Sequence, residues 1–446
     1  DQGKTSNLSG LALMAELTTK TIPQTGTTTF RPPFAPVTIG ALAGLHRGKA
    51  FRPTRLPPTH RWAQEQGAAF VESGPWLRAQ WYRRAGDTDW LESVNREVRT
   101  VRGSVGVCDV STLGKIDLQG ADAAVFLERL YTNTWSTLAV GRARYGLMLR
   151  EDGFVLDDGT TSRLAEDRYI VTTTTANAAK VLQHMELCHQ WLWPELDVQF
   201  SSVSEQWAQL SVAGPRSRDV LRKLVDPRHD ISYAAFPYMA AGELTVMGGL
   251  PARLFRISFS GELAYEIAVA AGYGDALMRR IIEAGREFAI APYGTEALGV
   301  LRIEKGHVAG NEINGQTTAR DLGLGRMMSR RKDYVGRVMA QRPGLSASDR
   351  PTLAGFKPVE HAARLRAGAH FIAEGAETRA ANDQGYMTSV AFSPTLGHWI
   401  GLGLLVDGPS RHGQRVRAYD PVRNGDVLVE VCDPVFYDPD GERLRG

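Results

Sequence analysis

Cysteine is scarce. The 446 residues hold three, Cys108, Cys188 and Cys432, odd in number and far apart. That excludes a disulfide framework and fits a reducing compartment, so a cytoplasmic location is expected. No run of about 18 apolar residues occurs, which removes the apolar membrane-spanning helix. Charge of one sign is missing too. The 52 basic and 49 acidic side chains leave a formal +3, and no basic stripe is interleaved with aromatics. Neither nucleic acid nor a membrane is an expected partner. No Gly-x-Gly-x-x-Gly follows a strand pattern, so the chain carries no dinucleotide fold of its own, and there is no Gly-x-Ser-x-Gly elbow. His184 and Cys188 share a helix face without a further ligand at usable spacing, so packing is their expected role and no metal site is expected. There is no signal-peptide pattern, and the first residue is Asp1. The visible start is expected to be a cut.

What is present is a globular composition, 43% hydrophobic and 23% charged, over a length that calls for two or three domains. Gly3-Lys4-Thr5 is the tail of a phosphate-loop pattern without its strand or first glycine, and reads as chance. Leu11 to Leu17 is apolar enough for one helix. From Thr18 to Pro58 the composition shifts to Thr, Pro and Gly. Proline removes amide donors and fixes φ, so residues 1–57 read as a remnant and an extended connector along a neighbouring surface.

Residues 58–340 read as one module. A helix is expected near Trp76 to Tyr82, and another over Trp90 to Val101, where Leu91, Val94 and Val98 keep helical spacing. A strand, a glycine and a helix recur: Lys115 to Gly120 before Phe126, Leu127 and Leu130, then Trp207 to Gly214 before Val220, Leu221 and Leu224. Pro215 is placed to start the second helix. The recurrence implies two similar α+β subdomains. A helix over Ala178 to Trp193 should turn Val181, Leu182, Met185 and Leu192 to one side. Residues 341–446 carry short strands at close spacing, the pattern of a small β-barrel or sandwich. The fold class is therefore α+β.

The rest is organised around Cys108 to Thr161. After Cys108-Asp109-Val110-Ser111 come a strand, a helix and a hydrophobic run that ends in Gly153-Phe154-Val155-Leu156-Asp157-Asp158. A carboxylate at the end of such a run has a fixed address, from which it can grip a nitrogen heterocycle or move a proton. Paired acids at a strand end also serve as turn chemistry.

The order Cys108-Asp109-Val110-Ser111, Asn133, Ala143-Arg144-Tyr145, Gly153-Phe154-Val155-Leu156-Asp157-Asp158 resembles the folate-binding aminomethyltransferase family, the T-protein of glycine cleavage. The same module forms the C-terminal half of several flavin-dependent amine oxidases. Gly261-Glu262, Leu301-Arg302-Ile303-Glu304 and Ser393-Pro394-Thr395-Leu396-Gly397 extend the resemblance. In register, Leu298 and Gly299 stand where glycine-cleavage enzymes carry Arg-Asp, which fits the oxidase-linked branch. The opening string Asp1-Gln2-Gly3-Lys4-Thr5-Ser6-Asn7 resembles the alpha-subunit family of heterotetrameric sarcosine oxidases. The chain would then be the C-terminal half of a larger subunit, or a naturally split one.

That resemblance implies a reaction. An N-methyl amine such as sarcosine is oxidised elsewhere, its one-carbon unit passes to tetrahydrofolate on this module, and glycine leaves. The implied catalytic acid is Asp157. Glu262 would hold the pterin edge, Tyr145 would line the ring, and Asp158 would support from a turn. Flavin (FAD or FMN) and NAD would sit on partner chains or on the other half of the subunit. The implied partners are a flavin-bearing beta subunit and smaller subunits of a hetero-oligomer. A free-standing glycine-cleavage aminomethyltransferase and a non-catalytic folate-binding scaffold are the alternatives.

Overall fold

The computed structural model describes residues 8–22, 25 and 54–446, which belong to two units, Asp1–Thr54 and Arg55–Gly446. In the first, the expected helix spans Leu8–Leu17. Gly3-Lys4-Thr5 and most of the Pro/Thr-rich stretch lie outside the described residues.

The second unit opens with the helix His60–Glu65 and a hairpin of β1 (Ala68–Ser73) and β2 (Trp76–Tyr82). The helix expected near Trp76 is thus a strand. The reason is local: Gly74 at φ 56° and Pro75 turn the chain, and Ser73 pairs directly with Trp76. The Trp90–Gly103 helix follows, with Asp89 accepting from the Glu92 amide at 2.8 Å and Val94, Val98 and Val101 buried.

Two sheets come next, interleaved along the chain. β3 (Gly106–Asp109) leads to β4 (Gly114–Gln119), the Ala123–Leu130 helix, β5 (Arg142–Leu149), β6 (Val155–Ala165), β7 (Arg168–Thr173), the Ala178–Leu187 helix and β8 (Gln199–Ser202). β9 (Trp207–Ala213) then precedes the Ser217–Arg222 helix, β10 (Ala241–Val246), β11 (Leu250–Phe255), β12 (Ala264–Ala270), the Gly274–Ala284 helix, β13 (Ala291–Pro292) and the Thr295–Glu304 helix. The order is β5-β6-β7-β4-β8 in one sheet and β10-β11-β12-β9-β3-β13 in the other.

The period of two in each strand decides what faces what. On β4, Ile116 and Leu118 pack on Phe126, Leu127 and Leu130 of their helix. On β9, Ala208, Leu210 and Val212 pack on Val220 and Leu221 of theirs. These are the two recurring units, and both glycines are required. Gly120 at φ 137° and Gly214 at φ 124° lie so close to backbone carbonyls, of Asp197 and Ser104, that no Cβ would fit. Each sheet has helices on one face. The other faces share two apolar clusters, one with Leu147 and Ala264, the other with Ala143 and Ala268.

Two expectations need correcting. Leu192 is 56% exposed, because the Ala178–Leu187 helix passes into a π-turn at Cys188–Leu192 that breaks the 3.6-residue phase. Pro215 lies in the turn, and its helix begins at Ser217.

The remaining strands, β14 (Pro351–Pro358), β15 (His370–Ala373), β16 (Gly385–Ser393), β17 (His398–Val406), β18 (Arg415–Asp420) and β19 (Gly425–Cys432), close a six-stranded barrel around stacked Phe356 and Phe371. Arg302 and Glu312, paired at 2.9 Å, tie the barrel to the module through Ser389 and Thr388.

Candidate functional site

The β5–β6 hairpin sorts the two adjacent acids. Met148 pairs with Asp157 and Leu147 with Asp158, and cross-strand partners share a face. Met148 belongs to the helix-covered core and Leu147 to the core between the sheets. Asp157 therefore faces the helices, and Asp158 faces the opposite sheet.

Their surroundings match. Asp157 is 3% exposed. It accepts from the Thr174 amide at 3.0 Å, the Thr174 hydroxyl at 2.6 Å and the Asn177 side-chain amide at 3.0 Å. Burial pushes its carboxyl up, and these donors oppose the rise. Asp158 is partly exposed and accepts from the Tyr145 hydroxyl at 2.7 Å. Burial, then the charge of Asp157, push the Asp158 carboxyl up to about 7. Asn133, one of the motif residues, fixes β5 here. Its amide donates to the Tyr145 carbonyl at 2.9 Å. Next along the face, Thr160 and Thr172 share a hydroxyl contact of 2.9 Å.

The facing sheet supplies a second acid that sequence reasoning passed over. On β12, Glu266 alternates with Ala264 and Ala268 and pairs across to Ser211. Ala268 shares an apolar cluster with Ala143, and Ala264 shares another with Leu147. Tyr145 lies between Ala143 and Leu147 on β5, and Asp158 lies opposite Leu147. Tyr145, Asp158 and Glu266 thus lie on the strand faces that carry these shared clusters. Glu266 is 8% exposed and accepts from the Gln209 side chain. Burial raises its carboxyl, against Gln209, Lys115 and Arg78. Lys115, which pairs with Thr172, donates to the Ser111 and Leu113 carbonyls at 2.8 Å each. Burial pulls its ammonium down to about 8. A lone acid in Ala264-Tyr265-Glu266-Ile267-Ala268, an otherwise apolar strand, was the signal available.

Glu262 sits elsewhere. Its carboxylate is 1% exposed and accepts from Arg102 at 3.0 Å, the Tyr437 hydroxyl at 3.0 Å and Arg443 at 3.0 Å. Arg102 also binds Glu304 at 2.6 Å. Among the described residues, no hydrogen bond joins Glu262 to Tyr145, Asp157 or Asp158. Its partners are a helix end and the returning C-terminal segment, which makes it part of a structural clamp.

A cavity of about 730 Å³ opens at the tip of the β5–β6 hairpin, lined by Arg150, Phe154, Asn314, Gln316, Arg350 and Tyr386 among others. Among the described residues, no cluster of His, Cys, Asp and Glu could hold a metal ion. No helix among them is long and apolar enough to cross a membrane.

Comparison with known proteins agrees along the chain. The family model described as GCVT N-terminal domain matches residues 59–332. The glycine cleavage T-protein C-terminal barrel domain matches 352–438, and the sarcosine oxidase A3 domain matches 1–45. The chain is 52% identical to sarcosine oxidase subunit alpha of Rhizobium meliloti (strain 1021), over 100% of its own length and 45% of that relative. It is 46% identical to the subunit alpha of Corynebacterium sp. (strain P-1), over 100% of its length and 46% of the relative. The chain spans less than half the length of these two relatives. The solved glycine cleavage system aminomethyltransferase T from Bartonella henselae shares the fold, with a TM-score of 0.74 at 22% identity over 86% of this chain and 98% of that one.

Proposed function

The chain belongs to the glycine cleavage T-protein family, carrying its N-terminal domain over residues 59–332, and from that premise we propose that it is the folate-dependent part of a sarcosine oxidase alpha subunit. In this reading an N-methyl amine such as sarcosine loses a hydride and becomes an iminium. A flavin (FAD or FMN), with NAD, supplies that redox chemistry from partner chains or from the other half of the longer subunit. The iminium carbon then passes to tetrahydrofolate. Two bonds form from that carbon to folate nitrogens, and its bond to the glycine nitrogen breaks. The two folate N–H protons end on glycine, which leaves with methylene-tetrahydrofolate as co-product.

The residues have distinct tasks. Asp158 accepts the proton of the attacking nitrogen and stabilises the positive charge that develops there. Tyr145 orients it. Glu266 accepts a pair of donors from the pterin edge, which a carboxylate suits by geometry; Gln209 holds Glu266 by a hydrogen bond, and the charge of Lys115 favours its ionised form. In this reading these roles take the place of those expected of Asp157 and Glu262, whose carboxylates accept from protein donors. Four residues of strand, about 13 Å, separate Asp158 from Phe154 at the hairpin-tip cavity. That cavity, with Phe154 and Tyr386 on its walls beside Arg150 and Arg350, which are paired with Asp152 and Asp321, has room for the aminobenzoyl-glutamate end of a folate. Because an iminium hydrolyses in water, the buried setting favours work within a hetero-oligomer, with a flavin-bearing beta subunit and smaller subunits in a cytoplasmic complex.

The single observation that supports this most is the hydrogen bond from Tyr145 to Asp158 on the face of the β5–β6 hairpin that carries Leu147 and turns away from the helices. The test is Asp158→Asn in the assembled complex. Amine oxidation should continue, methylene-tetrahydrofolate should fall at least 100-fold, and formaldehyde should be released instead. Loss of amine oxidation in an intact complex, or undiminished trapping, would overturn the reading.

A further inference from the structure

Asp157 and Asp158 are consecutive on β6, so their carboxylates leave the strand on opposite faces. The three donors to Asp157, from Thr174 and Asn177, are neutral and come from the segment after β7. They take three of the roughly four acceptor positions of the carboxylate. They hold a negative charge in place, 3% exposed, directly behind the residue that faces the opposite sheet. Ionisable neighbours are few, and on the facing sheet Glu266 of β12 is one of them. Tyr145 on β5 faces Asp158. Tyr131, after the Ala123–Leu130 helix, lies on the Asp157 side, and burial and then Asp157 raise its hydroxyl. Among the described residues, no lysine, arginine or histidine forms an ion pair with either acid.

We propose that Asp157 is a positioning residue that acts through Asp158: its locked negative charge opposes a second charge one residue along, so that Asp158 binds the proton of the folate nitrogen firmly enough to take it and can later release it. This rests on the role given to Asp158 under the proposed function. The physics is ordinary like-charge repulsion. Two carboxylates at this range in a poorly hydrated interior disfavour double ionisation, and removing one shifts the other by about 1–2 pH units. The direction agrees with the Asp158 carboxyl at about 7, raised first by burial and then by Asp157. A charge locked by neutral donors behind the strand does this without occupying the folate site.

The test titrates the full chain with tetrahydrofolate between pH 5.5 and 9, following quenching of tryptophan fluorescence. Wild type is compared with Asp157→Asn, Asp157→Ser and Asp157→Glu. Wild-type affinity should rise with pH through about 7. The neutral variants should move that rise down by about one pH unit while affinity at pH 9 stays within about threefold. Serine keeps a hydroxyl for Thr174 and Asn177, and serves if asparagine does not fold. Asp157→Glu keeps the charge and should keep the wild-type midpoint. If folded neutral variants retain that midpoint, or if glutamate moves it as far as asparagine does, Asp157 is only a structural tie and the inference falls. If wild type binds no tetrahydrofolate at any pH, the functional reading fails first. The two failures are distinguishable.

Discussion

The Tyr145 hydroxyl donates to the Asp158 carboxylate at 2.7 Å, a diagonal contact across the β5–β6 ladder between residues 13 positions apart. It is the only hydrogen bond from another residue's side chain to Asp158 among the described residues. A donor to the ionised form lowers a carboxyl pKa, so its loss must raise it. Tyr145→Phe should move the rise of tetrahydrofolate affinity to higher pH and weaken binding at pH 7 by about tenfold. The same fluorescence titration over pH measures both effects.

Glu262 and Glu266 should separate cleanly. Glu266→Gln removes a charge that faces the opposite sheet, and should cost at least about tenfold in tetrahydrofolate affinity with little loss of stability. Glu262→Gln leaves Arg102 and Arg443 short of a buried partner. It should cost about 3 kcal/mol in urea unfolding while the surviving folded protein binds normally. Equal stability with lost binding in Glu262→Gln would return the pterin contact to that residue.

Gly159 stands beside Asp158, and a Cβ there would collide with the Thr172 carbonyl on β7. Gly159→Ala must push β6 from β7 and carry Asp158 with it. The expected result is a loss of about 2–3 kcal/mol in stability together with weakened tetrahydrofolate binding. Unfolding curves and binding on one preparation check this.

Glu97 carries a pH dependence of its own. It is 2% exposed and accepts the Tyr82 amide at 2.6 Å and the Gly294 amide at 2.8 Å. Burial nevertheless pushes its carboxyl up to about 7. In the unfolded chain it titrates near its ordinary value of about 4.3. The folded state therefore holds the proton over that window, and its contribution to stability is lost as pH rises through about 7. Between pH 5 and 8, stability of wild type should fall relative to Glu97→Gln by on the order of 2–3 kcal/mol. Urea midpoints at the two pH values are the measurement.

Much of the architecture was legible because it is written in local periodicity. The two strand–glycine–helix units, the Trp90 helix and the β-rich C-terminal region follow from apolar spacing and from glycines at positions only glycine can hold. The misreadings have local causes that spacing does not carry. At Trp76–Tyr82, aromatics at ambiguous spacing formed a strand once Gly74-Pro75 turned the chain onto β1. At Leu192 a π-turn broke the helical phase.

The site divided differently. Sequence alone put Asp157 and Asp158 at the end of a hydrophobic run, where paired acids also serve as turn chemistry, and passed over Glu266; in the structure both acids lie within β6, where alternation turns them to opposite faces. Which face of β6 meets the helices was decided by the β5–β6 register and by what covers each side of the sheet. That decision gave Asp157 three protein donors and Asp158 one side-chain donor, Tyr145. In the same way the returning C-terminal segment, more than 170 positions away, claimed Glu262. Side-chain chemistry is a property of the residue, but whether its lone pairs remain free depends on chain segments that only tertiary packing brings beside it.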